Sequence, residues 1–283
     1  VVVAINKMDD ASVEWNENRY EEVKDGISRL LKTVGYPTET IDFVPTSGWT
    51  GDNLVNRSEN MPWYKGPTLL EALDNFKLPP KPTAKPLRIA IQDVYTIKGV
   101  GTTPVGKVET GELRPGDDIV FMPSGEKGKV NSIETHYTKI DVAGPGDNIG
   151  FNTKGVPKDK VGRGEIVGHP SDLPTVAKAF TGRIFIINHP TAVGEGYTPV
   201  LHLHTAQIAV RFDKLISKLD PRTGQTVEEN PAYLRTGEAA VVRFVPLQPT
   251  AMETFKDYPS LGRFALRDMG TTIGAGVVIA IEE

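Results

Sequence analysis

Apolar and polar positions in the first 50 residues follow the pattern of a βαβ unit. Residues 1–5 are apolar and mostly β-branched, which predicts a buried parallel strand that runs into a polar loop. A helix is predicted next, because apolar residues recur at helical spacing: Tyr20, Val23, Ile27, Leu30, Leu31 and Val34. Gly35 and Pro37 predict the end of this helix. Residues 41–44 then predict a second strand, which ends in a turn of small residues at 45–49.

A short helix and a proline-rich connection follow this unit. Thr68 and Glu71 have the spacing of a capping box, which predicts a helix from this point through Phe76. Residues 77–86 contain four prolines, and their fixed φ angles favour an extended, semi-rigid linker. The linker itself is assigned to residues 79–86, so the first domain is expected to span residues 1–78.

After Pro86 the chain changes to short β-rich segments separated by glycines, the pattern of a β-barrel. The clearest strands are 87–94, 104–109, 118–122 and 129–133, then 181–188, 200–206, 239–245 and 262–267. Two prolines at 170 and 174 suggest a junction, so residues 87–172 and 173–283 are expected to form two domains. The predicted fold class is multidomain: an incomplete α/β domain followed by two all-β barrels.

Length, charge and composition argue against several classes of function. The chain has 283 residues, a length that predicts about two or three domains. The formal net charge of −4 argues against a generally basic nucleic-acid-binding surface. The sequence has no cysteine, which excludes disulfides and thiolate chemistry and fits a reducing cytoplasm. No apolar stretch approaches the length of a membrane span, and no signal peptide is visible.

The loop after the first predicted strand reads Asn6-Lys7-Met8-Asp9, a pattern suited to binding guanine. The Asp9 carboxylate can accept hydrogen bonds from both the N1–H and the 2-amino group of guanine, whereas adenine offers neither donor. A site built to hydrogen-bond a group strongly rejects an analogue that lacks it. Asn6 is expected to brace the loop, and the methylene stem of Lys7 to lie over the purine. Four residues alone are a weak signal, and a chance turn is the competing interpretation.

A second loop strengthens the guanine interpretation. Ser47-Gly48-Trp49 follows the second predicted strand, so both loops are expected at the carboxyl edge of the sheet, where ligands of α/β proteins bind. The Ser-Gly turn is expected to present a backbone N–H to the guanine O6. Trp49 and Trp63 could stack on bases, but packing is the expected role of both rings.

The 283 residues contain no G-x-x-x-x-G-K-[ST] sequence, so they offer no phosphate cradle and no Ser/Thr ligand for Mg²⁺. We therefore expect the chain to lack the N-terminal part of its GTPase domain. No catalytic residue is identified, and no resident metal site is expected in these residues.

In this order, the motifs resemble those of the translation elongation factor 1-alpha family, of the archaeal or eukaryotic type, which is related to elongation factor Tu. The motifs that carry the resemblance lie at residues 6–9, 47–53, 60–64, 99–111, 145–151, 189–190, 196–199, 204–206 and 261–268. The archaeal type is favoured because residues 63–68 run directly into the predicted helix, without an insertion.

The resemblance implies a GTPase that delivers aminoacyl-tRNA to the ribosomal A site and hydrolyses GTP on codon recognition. It also implies the ribosome and a guanine-nucleotide exchange factor as partners. GTP or GDP is the implied cofactor, with Mg²⁺ in an intact protein. By motif match, Glu134 lies where the family contacts the terminal adenosine of tRNA, and Asp147 and Asn148 where it lines the aminoacyl pocket.

Two rival functions remain open, and some of the charged residues and histidines also have a purely structural interpretation. A GTPase that carries a release or rescue factor would share this domain plan and a stretch like 258–264. The GTPase subunit of ATP sulfurylase is a more distant alternative. Arg263, Arg267 and Asp268 could face RNA, or they could form a salt-bridged barrel rim. His202 and His204 are interpreted as structural.

Overall fold

The computed structural model describes residues 1–34, 37–76, 80–221 and 223–283, so the predicted helix end at Gly35 lies outside the described residues. The chain divides into two compact units, Val1–Pro80 and Lys81–Glu283. The domain boundaries drawn from the sequence remain predictions, because this division separates only these two units. No helix in the described part of the chain has the length and apolar character needed to cross a membrane.

The first unit contains the predicted βαβ arrangement. Strand β1 (Val2–Ile5) pairs in parallel with β2 (Asp42–Pro45), and helix α1 (Glu17–Val34) forms the crossover between them. The pairing register runs from Val2 opposite Asp42 to Ile5 opposite Pro45, so both strands end at the same edge. The α1 residue Tyr20 is buried, and its hydroxyl donates to the Phe43 carbonyl at 2.9 Å. Val23, Ile27 and Leu31 pack against the same apolar cluster, so these positions of the predicted stripe face the sheet.

Helix α2 (Leu69–Asp74) begins with the predicted capping box. Thr68 N–H donates to the Glu71 carboxylate at 2.8 Å, and Glu71 N–H donates to the Thr68 hydroxyl at 3.3 Å. The helix ends earlier than predicted, because Asn75 has ψ near 0° and leaves the helical conformation.

The second unit begins with a six-stranded barrel. Its strands are β3 (Arg88–Ile97), β4 (Gly101–Thr110), β5 (Asp118–Met122), β6 (Lys127–Thr135), β8 (Asn148–Lys154) and β9 (Ile166–Gly168), and β7 (Thr138–Ile140) extends the sheet beside β6. The order β5-β9-β3-β4-β8-β6 closes on itself, because β6 also pairs with β5. Phe121 and Phe151 are fully buried in the core, with ring centroids 6.5 Å apart.

A second six-stranded barrel follows. Its strands are β11 (Ala179–Ile186), β12 (Val200–Leu203), β13 (Ala206–Leu219), β15 (Ala239–Pro246), β17 (Arg263–Asp268) and β18 (Thr271–Glu282). The order β12-β17-β18-β11-β15-β13 closes through a β12–β13 pairing, and β14 (Thr226–Glu229) lies outside the ring beside β13. A separate pair, β10 (Val176–Ala177) and β16 (Thr250–Ala251), accompanies the barrel. The two rings confirm the predicted barrels.

One strand prediction was wrong. Residues 200–206 comprise the whole of β12, a tight turn and the first residue of β13, rather than one strand. The turn residue His204 has φ +42°, and its Nδ1 accepts a 2.7 Å hydrogen bond from the Thr205 N–H. Its Nε2 lies 3.0 Å from the Ala251 carbonyl, so the ring also ties the turn to β16. The sequence lacks turn-typical residues here, which is why the hairpin was missed.

A buried arginine joins β3 of the first barrel to segments beside the second. Arg88 has 3% of its side chain exposed, and its Nε donates to the Glu253 carboxylate at 2.6 Å. Its Nη2 donates to the Asp172 carboxylate, also at 2.6 Å. The remaining guanidinium donors meet the carbonyls of Leu87, Asp172 and Leu173. All five N–H groups of the guanidinium therefore have acceptors, as a buried charge requires.

Candidate functional site

The two predicted base-binding loops leave the sheet side by side. Because Ile5 is paired with Pro45, Asn6 and Thr46 are the first residues beyond the strands. The Thr46 N–H donates to the Ile5 carbonyl at 2.8 Å, and the Met8 N–H donates to the Thr46 carbonyl at 3.1 Å. The parallel hydrogen-bonding thus continues past the strand ends and fixes the spacing of the loops.

Asn6 links the first loop to the second. Its side-chain carbonyl accepts a 2.9 Å hydrogen bond from the Gly48 N–H. The Ser-Gly turn was predicted to present an N–H to guanine O6, but the Gly48 N–H already has this partner. Asn6 therefore serves as the brace between the loops, and Gly48 offers its N–H to a base only by sharing or exchanging this bond.

Five of the six predicted guanine-binding residues line one cavity of about 350 Å³, together with Asp10: Asn6, Lys7, Asp9, Gly48 and Trp49. Lys7 has φ +64°, a left-handed conformation that is uncommon for a residue with a side chain. The sixth predicted residue, Ser47, is fully buried, and its hydroxyl accepts from the Thr50 N–H at 3.0 Å. Ser47 thus shapes the turn from beneath.

The two tryptophans have different environments. Trp63 packs against Tyr20 with ring centroids 5.2 Å apart, and its Nε1 donates to the Trp15 carbonyl at 3.1 Å. Trp49 is 91% exposed, so the expected packing role is wrong for this residue. A large exposed ring beside the cavity can supply a stacking surface for a planar base.

Asn53 and Asp52 hold the second loop in place, although the sequence motif at residues 47–53 predicted no role for either. Asn53 is buried with φ +54°, and its side chain bonds the Pro45 carbonyl at 2.9 Å and the Ser58 N–H at 2.8 Å. Asp52 accepts four side-chain hydrogen bonds. Both follow Gly51, whose φ of +86° turns the chain back toward the sheet. The Gly-Asp-Asn sequence was the available signal.

The predicted aminoacyl-binding residues lie together at one end of the β6–β8 strand pair. Glu134 is exposed and lies opposite Gly150. Asn148 is exposed at the start of β8, and its backbone carbonyl accepts from the Thr135 hydroxyl at 2.9 Å. The two side chains therefore border the same edge of the first barrel, and both are accessible to a ligand.

Asp147 also has a structural role that was not predicted from the sequence. Its Oδ2 accepts a 2.8 Å hydrogen bond from the Gly144 N–H and closes the turn before β8. Carboxylates close three other turns over the same spacing: Asp117 to Arg114, Glu165 to Gly162, and Glu238 to Arg235. Each acid follows a glycine with φ between +86° and +97°, in a recurring x-x-Gly-Asp/Glu sequence. The Oδ1 atom of Asp147 is not used in closing this turn.

A strained hairpin tip adjoins Glu134. His136 and Tyr137 connect β6 to β7 with φ angles of +47° and +63°, and the Tyr137 side chain is fully exposed. His-Tyr is not a turn-typical dipeptide, so no local pattern predicts this turn. The tip places an imidazole and a phenol at the same barrel edge as the predicted aminoacyl site.

The charged residues of the predicted RNA-facing edge have partners within the barrel. An Arg267 Nη atom donates to the Gly270 carbonyl at 2.7 Å, and the Asp268 carboxylate accepts from the Tyr197 hydroxyl at 2.8 Å. Burial and this hydrogen bond raise the pKa of Tyr197. The Arg263 guanidinium lies 5.0 Å from the Phe255 ring centroid. These contacts favour the interpretation of a barrel rim.

Three family models match consecutive parts of the chain. "Elongation factor Tu GTP binding domain" matches residues 1–79, "Elongation factor Tu domain 2" matches 101–168, and "GTP-eEF1A C-terminal domain-like" matches 179–279. Together they reproduce the predicted order of a GTPase-type α/β segment and two barrels.

Curated relatives match over the whole chain. Proteins named elongation factor 1-alpha are 57% identical in Staphylothermus marinus, 55% in Saccharolobus solfataricus and 57% in Methanocaldococcus jannaschii, each over 100% of this chain. The chain spans 64–66% of the length of these relatives. Their names give no support to the rival function of a release-factor carrier.

Two solved structures have a similar fold. Crystal structures of sup35 complexed with GMPPNP and with GDP each match with a TM-score of 0.68 and 33% identity, over 100% of this chain and 69% of theirs. The three family models match consecutive segments, and the relatives and solved structures match the whole chain. The chain therefore belongs to the elongation factor 1-alpha family of elongation factor Tu-type GTPases.

Proposed function

We propose that this chain belongs to a GTP-dependent carrier that delivers aminoacyl-tRNA to the ribosomal A site and hydrolyses GTP on codon recognition. The observation that supports this most directly is the convergence of Asn6, Lys7, Asp9, Gly48 and Trp49 on one cavity at the carboxyl edge of a parallel strand pair. This is the edge at which α/β proteins bind nucleotides.

Guanine recognition rests on Asp9. Its carboxylate would accept the N1–H and the 2-amino group of the base, and the stem of Lys7 and the ring of Trp49 would cover the purine faces. Ser47 and Asn6 hold the two loops in register. The residues present thus fit the guanine end of GTP or GDP. They do not fit the phosphates or Mg²⁺, because the 283 residues contain no phosphate-binding loop.

We expect the 283-residue chain to bind nucleotide weakly, because its residues fit the guanine base but not the phosphates. Phosphate and Mg²⁺ contacts supply most of the nucleotide affinity in P-loop proteins. With base contacts alone, we expect a dissociation constant far above about 1 μM. Isothermal titration calorimetry of the chain with GTP and Mg²⁺ measures this directly. Sub-micromolar affinity would contradict the assignment of the phosphate site to other residues.

The aminoacyl end of tRNA is assigned to Glu134, Asn148 and the second oxygen of Asp147. A carboxylate suits the ribose hydroxyls of a terminal adenosine, and an amide suits the α-amino and carbonyl groups of the amino acid. The exposure of Glu134 and Asn148 supports this assignment. The ribosome, a guanine-nucleotide exchange factor and a cytoplasmic location complete the proposal.

Protection of the aminoacyl ester tests the proposed cargo. The chain would be joined behind the part of the Methanocaldococcus jannaschii relative that lies outside the match, and loaded with GTP. We expect this hybrid to slow hydrolysis of aminoacyl-tRNA, and Glu134→Ala to weaken the complex at least about tenfold, since a charged hydrogen bond is lost.

Asp118→Ala is the matched control, because Asp118 is an exposed acid on β5 of the same barrel. It should leave protection unchanged. A hybrid that binds GTP but gives no ester protection, and instead binds a release factor, would overturn the proposal in favour of the rival function.

A further inference from the structure

Glu14 and Trp15 adopt two successive left-handed backbone conformations between the Asn6–Asp9 loop and α1, with φ angles of +47° and +52°. Such conformations cost energy in residues with side chains, and they persist only where surrounding contacts enforce them. Trp15 has three such contacts. Its N–H donates to the Met8 carbonyl at 2.7 Å, its carbonyl accepts from the Trp63 indole at 3.1 Å, and its own indole donates to Asp52 at 3.0 Å.

Asp52 gathers donors from three separate segments. Its Oδ2 accepts from the Trp15 indole and from the Thr50 hydroxyl at 2.6 Å. Its Oδ1 accepts from the Ser58 hydroxyl at 2.5 Å and from the Asn60 amide at 3.3 Å. Burial acts to raise the pKa of Asp52, but these four hydrogen bonds outweigh it and hold the pKa below its usual range. The carboxylate is therefore ionised and fully engaged at neutral pH.

The two ends of this network are the two base-binding loops. On one side, Asp52 holds Trp15, which holds the Met8 carbonyl between Lys7 and Asp9. On the other side, Asp52 holds Thr50, the residue after Trp49. One carboxylate thus restrains the residues that flank both walls of the cavity, although its side chain does not line the cavity.

We infer that Asp52, acting through the Trp15 indole, is a positioning residue that preorganises both walls of the guanine site; this inference rests on the proposed function. Loops that are already ordered spare the ligand the entropic cost of ordering them, so the network should raise affinity for the base. Asp52 does not touch the base, so it should strengthen the binding of all purines that use the loops in the same way.

The test uses the 283-residue chain, with GMP and IMP as probes in an NMR titration at millimolar concentrations. IMP lacks the 2-amino group that Asp9 would bind. Asp52→Asn keeps the size of the side chain but turns one acceptor oxygen into a donor that faces other donors. We expect the dissociation constants for GMP and IMP to rise together by about fivefold or more, which corresponds to the loss of about one hydrogen bond. Asp74→Asn, an exposed acid of the same unit, is the matched control and should change neither.

Trp15→Phe is the second variant, and it keeps the inference testable if the Asp52→Asn chain does not fold. It keeps an aromatic ring in the core and removes only the indole donor, so a rise in both constants of about two- to threefold is expected, with a small change in melting temperature. If both variants bind GMP within the error of the original chain while melting earlier, Asp52 only stabilises the unit and the inference is overturned. If the original chain fails to prefer GMP over AMP, the proposed guanine site fails, and the inference fails with it.

Discussion

Replacing Arg88 with alanine should lower the free energy of unfolding of the barrel unit by about 3–5 kcal/mol. Arg88 is almost completely buried and bonds the carboxylates of Glu253 and Asp172. Removing the guanidinium leaves the Glu253 carboxylate, itself 7% exposed, without its charged partner. An uncompensated buried charge is among the most destabilising changes in a folded protein.

Arg243→Ala is the matched control. Arg243 also bonds two carboxylates, Asp213 and Glu282, but its side chain is 32% exposed and Glu282 is 53% exposed. Water can replace its contacts, so a much smaller loss is expected. Urea unfolding followed by far-UV circular dichroism reports the barrel strands. The three tryptophans all lie in residues 1–80, so their fluorescence follows the other unit separately.

A double replacement separates lost charge pairing from lost packing. Arg88→Met combined with Glu253→Leu removes both buried charges and should recover much of the stability lost in Arg88→Ala, since an apolar pair avoids the desolvation cost. Equal losses in Arg88→Ala and Arg243→Ala would show that burial does not control the strength of these pairs, contrary to our account.

Asp9→Asn should reverse the base preference from guanine to xanthine in a protein with a complete phosphate site. Two hydrogen bonds to an ionised acceptor are lost with guanine, each worth about 1.5–3 kcal/mol, so GDP affinity should fall by roughly 10²- to 10⁴-fold. Xanthine carries a 2-oxo group in place of the amino group, and an asparagine amide can donate to it.

The measurement compares GDP and XDP dissociation constants in the hybrid with the Methanocaldococcus jannaschii segment. Asp10→Asn is the control. Asp10 lines the same cavity, but its carboxylate bonds the Ser12 N–H at 2.9 Å and hydroxyl at 2.6 Å. Its replacement should leave GDP preferred over XDP. The role assigned to Asp9 would be refuted by an Asp9→Asn protein that still prefers GDP.

The features that were predictable from sequence are those encoded by local periodicity. A continuous apolar run predicted β1, helical spacing of apolar residues predicted α1, and a second apolar segment predicted β2. The capping box predicted the start of α2 after Thr68. The positions of the base-binding loops followed from where the strands end, because parallel pairing brings those ends together. Glycine spacing indicated barrels, since short strands separated by turns have few other solutions.

The features that were missed depend on contacts between distant residues. No local pattern indicates that Asp52 bonds Trp15, 37 residues earlier. The turn at His204 was missed because it is held by contacts of the imidazole, whose Nδ1 accepts from the Thr205 N–H and whose Nε2 meets the Ala251 carbonyl, and not by the usual turn residues. The turn-closing role of Asp147 is an intermediate case. Its x-x-Gly-Asp/Glu pattern recurs in the sequence, but its meaning becomes clear only once the backbone geometry is known.

The strand outside the second ring bears on solubility during folding and storage. β14 has all four residues exposed, and an exposed strand edge is a ready template for pairing with another chain. Two of its four residues are acidic, and Glu228 forms an ion pair at 3.3 Å with Lys218 of β13. A second copy approaching this edge would bring carboxylates against carboxylates. The charge on β14 thus discourages edge-to-edge association at the strand of this sheet that lies outside the closed ring.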